Sequence, residues 1–310
     1  MSIALPNIRS RSSGALEIQC KSWDDFIQQL RLLEANRPGV GTLYRGHSNH
    51  QWKLSSPWER LCDHYKRVHP QADARKIFGP IEDTSKDDLF LSVFKEQVKG
   101  MPGMPIDMLN TRQDWWAFGR HFGLITPLLD WSQSPFIAAF FALQDRLLSK
   151  SNLPERPPSM TSDEPIAVWR LHVYHKLPRK GEFNYVSNSN YEFHRQRIQL
   201  GSFTHLDHSK YTDLESYLES RQLAQGLCKY TVPCPSANEA NLALSDLDRM
   251  NIHSATVFPD AQGAAMYANQ AMYWFPLGLK VVGTIGGRVT GSIQEMNSNF
   301  LADMLKLYDV

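Results

Sequence analysis

Between Ile166 and Tyr174 apolar and polar positions alternate, the period of a half-buried strand, whereas Trp23, Phe26, Ile27, Leu30 and Leu33 recur at the spacing of a helix. These two periods organise most of the chain. The first helix is signalled from Ser22, with Asp25 three residues on, and is stopped by Pro38-Gly39. Leu89, Phe90, Val93, Phe94 and Val98 mark a helix over 88–98, and Thr111 caps another that carries Trp115 and Trp116 and runs to Gly119 or Gly123. Ser134, Pro135 and the apolar run to Leu143 read as a buried helix, entered from a short strand and turn. Thr42 to Arg45, ending in Gly46-His47, reads as a strand that Gln51 to Leu54 pairs with or extends. Further on, Gln199–Thr204 and Lys229–Val232 read as strands and Asp213–Leu223 as a helix. Ala237–Met250 follows as a helix with Leu242, Leu244 and Leu247 as core contacts, and Leu277–Ile285 is the last strand candidate. Strands and helices without a strict βαβ rhythm predict an α+β fold: a mixed, mainly antiparallel sheet core with flanking helices.

Polar punctuation sets the expected boundaries. Residues 1–15 are rich in Ser and Arg and predict a flexible tail; residues 16–310 are expected to form a single domain with helical insertions and an exposed 149–165 loop. With 42% hydrophobic residues in 310, a substantial core is available. Lys plus Arg number 33 against 32 Asp plus Glu, so no global charge points to nucleic acid or an anionic membrane. The basic residues Arg9, Arg11 and Lys21, or Arg195 and Arg197, are interrupted and read as solvated faces. No apolar run approaches the roughly 18 residues of a membrane span, so a cytoplasmic protein with no membrane partner is expected. Cys20, Cys62, Cys228 and Cys234 are too irregular for zinc, and the pairs His64/His69 and His172/His175 lack ligand spacing, so no metal is expected. The chain also lacks a phosphate-loop lysine motif, a dinucleotide glycine fingerprint and a Gly-x-Ser-x-Gly turn.

Chemistry concentrates in His121 to Ala142, where a strand ends, a turn exposes backbone N–H groups and a helix begins. Such a turn suits an anionic or carbonyl-bearing ligand, with Thr126, Asp130, Trp131 and Ser132 at hand. The plain alternative gives Asp130 a capping role, Trp131 a place in the core and the polar side chains local backbone partners.

Three separated segments resemble the FRG domain, a bacterial family named for a Phe-Arg-Gly motif. The motif reads Tyr44-Arg45-Gly46 here. His121 to Ala142 is similar to the family's His-Tyr-Gly, Thr-Arg-Leu-Leu-Asp-Trp-Thr and Pro-led helix, departing at Phe122, Pro127 and Ser132. Gln196 to Thr204 resembles its Arg-Ile, Gln-x-Gly-x-Phe pattern, and Met250-Asn251-Ile252 with Val257 to Asp260 and Gly263 extends the likeness to about Asn269. The resemblance implies a setting in bacterial and phage proteins with toxin or phage-defence roles. An arginine on an early strand, a Ser or Thr on a central strand and a polar residue on a late strand further resemble the layout of ADP-ribosyltransferases, which implies NAD as substrate and no metal.

Under that resemblance the chain is an NAD-dependent ADP-ribosyltransferase-like enzyme or NAD glycohydrolase; the alternative is a non-catalytic sensor that binds a nucleotide or protein segment. Loss of nicotinamide places positive charge on the ribose, so the site needs a pyrophosphate clamp, an aromatic surface and acceptors for hydroxyls. Arg45 is the candidate clamp, with Gly46 allowing close backbone approach; a structural Arg45–Asp130 pair is the competing role. Tyr44 or Trp131 is the stacking surface, and Thr126 and Ser132 hydrogen-bond ribose. Asp130 accepts a ribose hydroxyl, stabilises the cation or orients Arg45, while His121 is a base, a ligand contact or a buried histidine. Gln199 stands where the transferase layout puts a glutamate, leaving Glu192 or Asp260 to supply the carboxylate. The macromolecular target, protein or nucleic acid, and self-association are left open.

Overall fold

The computed structural model describes residues 8–34, 41–78, 88–104, 106–150, 164–173, 182–186, 197–206, 211, 213–234, 237–274, 284–285 and 288–289. It divides into two compact units, Met1–Pro235 and Ser236–Val310.

The first unit is built on an eight-stranded sheet. Its strands are β1 (Ile8–Ser10), β2 (Leu16–Gln19), β3 (Thr42–His47), β4 (Leu128–Ser132), β5 (Ile166–His172), β6 (Phe183–Val186), β7 (Gly201–Leu206) and β8 (Leu227–Val232). Their order across the sheet is β1-β2-β8-β5-β3-β4-β7-β6. Only β2 and β8 run parallel; the other six pairings are antiparallel. The fold is therefore α+β with a mixed, mainly antiparallel sheet. Part of the expected tail is strand: Ile8–Ser10 pairs with β2, and Arg11 bridges Glu17 at 2.9 Å and Glu215 at 2.7 Å. Arg11 is thus a crosslink within the fold and not part of a solvated basic face.

Helix starts follow local chemistry. Ser22 Oγ accepts the Asp25 N–H at 3.2 Å ahead of α1 (Trp23–Glu34). Helix α2 (Pro57–Val68) opens with a full capping box, Ser56 accepting from the Glu59 N–H while the Glu59 carboxylate accepts from the Ser56 N–H, with Pro57 at the tolerated first position. Its apolar residues Trp58, Leu61, Cys62 and Tyr65 recur at helical spacing, though α2 was not among the expected helices, and Gln51–Leu54, expected as a strand, forms none. A short α3 (Ala74–Phe78) follows. Asp88 caps α4 (Leu89–Val98) and also accepts from the Trp116 indole at 2.9 Å, fastening that helix start to α5 (Arg112–His121), itself capped by Thr111 and Asp114. Helix α6 (Pro135–Lys150) runs beyond the expected apolar stretch, so Ser149 and Lys150 are helical; residues 151–163 of the expected loop lie outside the described residues. Asp213 caps α7 (Leu214–Ser220).

Strand alternation divides the core. Leu129 and Trp131 of β4 join Leu43, Trp169, Leu171 and Tyr217 in one cluster, while Leu128 joins Trp58, Leu91, Trp116 and Phe203 in another. Helices α2 and α5 supply the second cluster, so both lie over the face of β4 from which Leu128 and Asp130 project. Helix α6 covers β3 so closely that a Cβ at Gly46 would stand 1.8 Å from the Ala138 carbonyl oxygen.

The second unit contains α8 (Ala237–Arg249), α9 (Ser254–Val257), α10 (Ala261–Trp274) and the paired β9 (Thr284–Ile285) and β10 (Arg288–Val289). On α8 the buried residues are Ala240, Ala243, Leu244 and Leu247, whereas Leu242 is exposed, a correction that follows from helical period. Of the expected final strand, only Thr284 and Ile285 are described. Among the described residues no helix is long and apolar enough to cross a membrane.

Candidate functional site

The centre of the sheet contains a split. β3 forms six residue pairs with β5, and β4 forms five with β7, yet β3 and β4 share only Tyr44↔Ser132. Unpaired backbone groups inside a sheet need other partners. Arg45 supplies one: its Nη1 donates to the Asp130 carbonyl oxygen at 2.7 Å, and to the Asp130 carboxylate at 3.4 Å. Its Nε donates to His47 Nε2 at 3.1 Å, so Arg45 is held on two sides.

Asp130 has a stronger partner that the sequence pattern does not single out. Arg120, near the end of α5, donates from Nε to both carboxylate oxygens, at 3.1 and 3.2 Å, and from Nη2 to Oδ2 at 2.9 Å. Arg60 projects from the first turn of α2, donates to the Ser55 carbonyl at 2.8 Å, and is within electrostatic reach of both Arg120 and Asp130. Two signals for these residues stand in the sequence. The Ser56-Pro57-x-Glu59 box places Arg60 at the start of a helix, and Arg120 lies on the last turn of a helix that leads into Asp130.

Three guanidinium groups, with Asp130 bonded to two of them and Glu59 within electrostatic reach of the third, leave the cluster net positive. Burial lowers the Arg45 guanidinium to about 10, with Asp130 opposing that shift and Arg60 and Arg120 adding to it. Burial by itself would raise the Asp130 carboxyl, but the charges of Arg120 and Arg45 outweigh it and hold the group below its ordinary value. Burial, then the charges of Arg45 and Arg60, pushes His47 well below the usual histidine range. His47 is therefore neutral and accepts from Arg45 through Nε2. Side-chain exposures of 14% for Arg45, 23% for Arg120 and 35% for Asp130 mean that solvent reaches the cluster. Among the described residues, Arg45 Nη2, Arg60 Nη2 and Arg120 Nη1 make no hydrogen bond. The arrangement is thus an open, electropositive cluster with donors to spare, suited to an anion.

The other candidates are placed differently. Trp131 is 4% exposed and gives its indole N–H to Thr204 Oγ1 at 2.9 Å; Tyr44 is 3% exposed. Neither offers a ring face for stacking a ligand, because both complete the sheet core. Thr126 is fully buried, so its hydroxyl is closed to a ribose; its carbonyl instead accepts from Trp58 at the start of α2. Ser132 Oγ donates to the Gln199 carbonyl at 2.8 Å and accepts from the Ser134 N–H at 3.0 Å, so it ties β4 to the segment before β7. Gln199 is fixed there by its backbone, beside Leu200 in the left-handed region at φ 48°. Gly46 is explained by the close approach of α6, not by a ligand. His121 is half-buried at the end of α5, next to Arg120. Glu192 lies outside the described residues, and Asp260 caps α10 through the Gly263 N–H at 2.9 Å in the second unit. None of the four cysteines forms a disulfide, and among the described residues no group of three His, Cys, Asp or Glu side chains is placed to hold a metal ion.

The family model of the FRG domain matches residues 41–151, a span that contains Arg45, Arg60, Arg120 and Asp130 and ends before Gln199. No curated protein and no solved structure matches the chain.

Proposed function

Starting from the FRG domain that the chain carries, we propose that the cluster at the β3/β4 split binds the phosphates of a nucleotide, NAD first, for ADP-ribosyl transfer or NAD glycohydrolysis. The observation that supports this reading is the Asp130 carboxylate bonded by Arg120 and Arg45, with Arg60 within electrostatic reach and all three arginines retaining unused donors. A pyrophosphate bridge is anionic, as the net positive cluster requires, and guanidinium forks suit its oxygens. In the reaction the bond from ribose C1′ to the nicotinamide nitrogen breaks, the pair leaves with neutral nicotinamide, and water or a target nucleophile adds at C1′ and loses a proton. Asp130, ionised and partly exposed, is the group that stabilises the developing positive charge.

A second reading, a sensor that binds nucleotide without turning it over, is favoured by one specific arrangement. Asp130 is already engaged by Arg120 and Arg45, while the aromatic candidates Tyr44 and Trp131 are buried. Calorimetric titration with NAD, run beside an assay for released nicotinamide, separates the two. Binding with release supports the enzyme, and binding without release supports the sensor. Arg120→Gln is expected to weaken binding at least about tenfold, the cost of a lost charge-assisted pair. Absence of binding to the intact protein overturns both readings.

A further inference from the structure

We propose that Asp130 is a built-in competitor: in the ligand-free protein its carboxylate occupies Arg120, and a phosphate-bearing ligand enters by taking Arg120 over, with Arg60 as the arm that meets it first. This rests on the reading of the cluster as an anion site and adds how that site is kept closed.

The roles of the three arginines differ by how each is held. Arg45 spends Nε on His47 and Nη1 on the Asp130 carbonyl, a backbone group that cannot leave, so it stays as the pin of the split strands. Arg120 spends three contacts on the Asp130 carboxylate, a side chain that can rotate away. Arg60 is exposed and holds one backbone carbonyl with one nitrogen, leaving the rest of its fork for solvent or ligand. The carboxylate therefore presents to Arg120 the same pair of oxygens that a phosphate would present. Asp130 is itself partly open to solvent, so a displaced carboxylate regains water at little cost. A ligand with two charges outcompetes it because it recruits Arg60 as well as Arg120.

The test measures the affinity of the full chain for ADP. Asp130→Asn is expected to bind roughly three- to tenfold tighter than the wild type, the range of a partly exposed ion pair. Asp130→Ser is measured alongside in case the amide disturbs folding, and is expected to act in the same direction. Glu219→Gln, exposed on α7, a helix that packs in the other core cluster, removes the same charge away from the site and is expected to leave affinity within about twofold. Arg60→Gln is expected to weaken binding both in the wild type and in combination with Asp130→Asn. Unchanged or weaker binding after both Asp130 substitutions, in a wild type that binds ADP, overturns the competitor role and leaves the anion site standing. Equal strengthening by Glu219→Gln also overturns it, since net charge alone then accounts for the gain. No binding of ADP to any of these proteins removes the anion site and the competitor together.

Discussion

Gly46 shows how one position acquires a meaning from packing that its neighbours in the chain do not reveal. In the sequence it stands beside Arg45 and reads as a point of close approach; the structure shows that what approaches is the Ala138 carbonyl of α6. Gly46→Ala is expected to destabilise the first unit by about 3 kcal/mol, read as a lower midpoint in urea, because backbone cannot yield as a side chain does. Asp130 was legible as polar and exposed in type, and the Arg45–Asp130 pair was among the readings open to it; Arg120, its principal partner, was not. The Asp130 carboxyl is held below its ordinary value. Its ion pairs therefore contribute stability in full above the unfolded carboxyl's titration near pH ~4 and lose it as pH falls through the lower folded value. The stability difference between wild type and Asp130→Asn is expected to shrink as pH falls below about 4 in acid-unfolding curves; a difference that instead grows would show that the carboxylate is not stabilised by its arginines.

Among the elements, those with strong caps and periods were legible, α6 most of all, whereas Asp130, Trp131 and Ser132, expected in the turn before it, belong to β4. α2 was not among the expected helices, although Trp58, Leu61, Cys62 and Tyr65 keep helical spacing and its capping box was written in Ser56 and Glu59. That box matters to the site, since the first turn of α2 carries Arg60. Ser56→Ala is expected to cost about 1 kcal/mol of stability, measured by denaturant unfolding, and to weaken ADP binding while leaving Arg60 in place chemically. The Gln51–Leu54 segment reads as strand from its alternation alone; with β5 on one side of β3 and β4 on the other, no free edge of β3 remains for it.

The chain as a unit of folding divides at Pro235, after the last strand of the large sheet. All eight of its strands and all four charged residues of the cluster precede that point. A protein ending at Pro235 is therefore expected to fold and to bind ADP with the affinity of the full chain; loss of binding with retained circular dichroism would assign the second unit a part in the site. Local pattern and cap chemistry were sufficient for the α+β class, for β3, β5 and β8, and for a polar centre at Arg45 and Asp130, because each depends on residues a few positions apart. The split between β3 and β4, the burial of Tyr44, Thr126 and Trp131, and the convergence of Arg60 and Arg120 on Asp130 were decided by tertiary structure. Those features depend on which strands are neighbours and which helices cover them, and such contacts join residues from 10 to 85 positions apart that no local period relates.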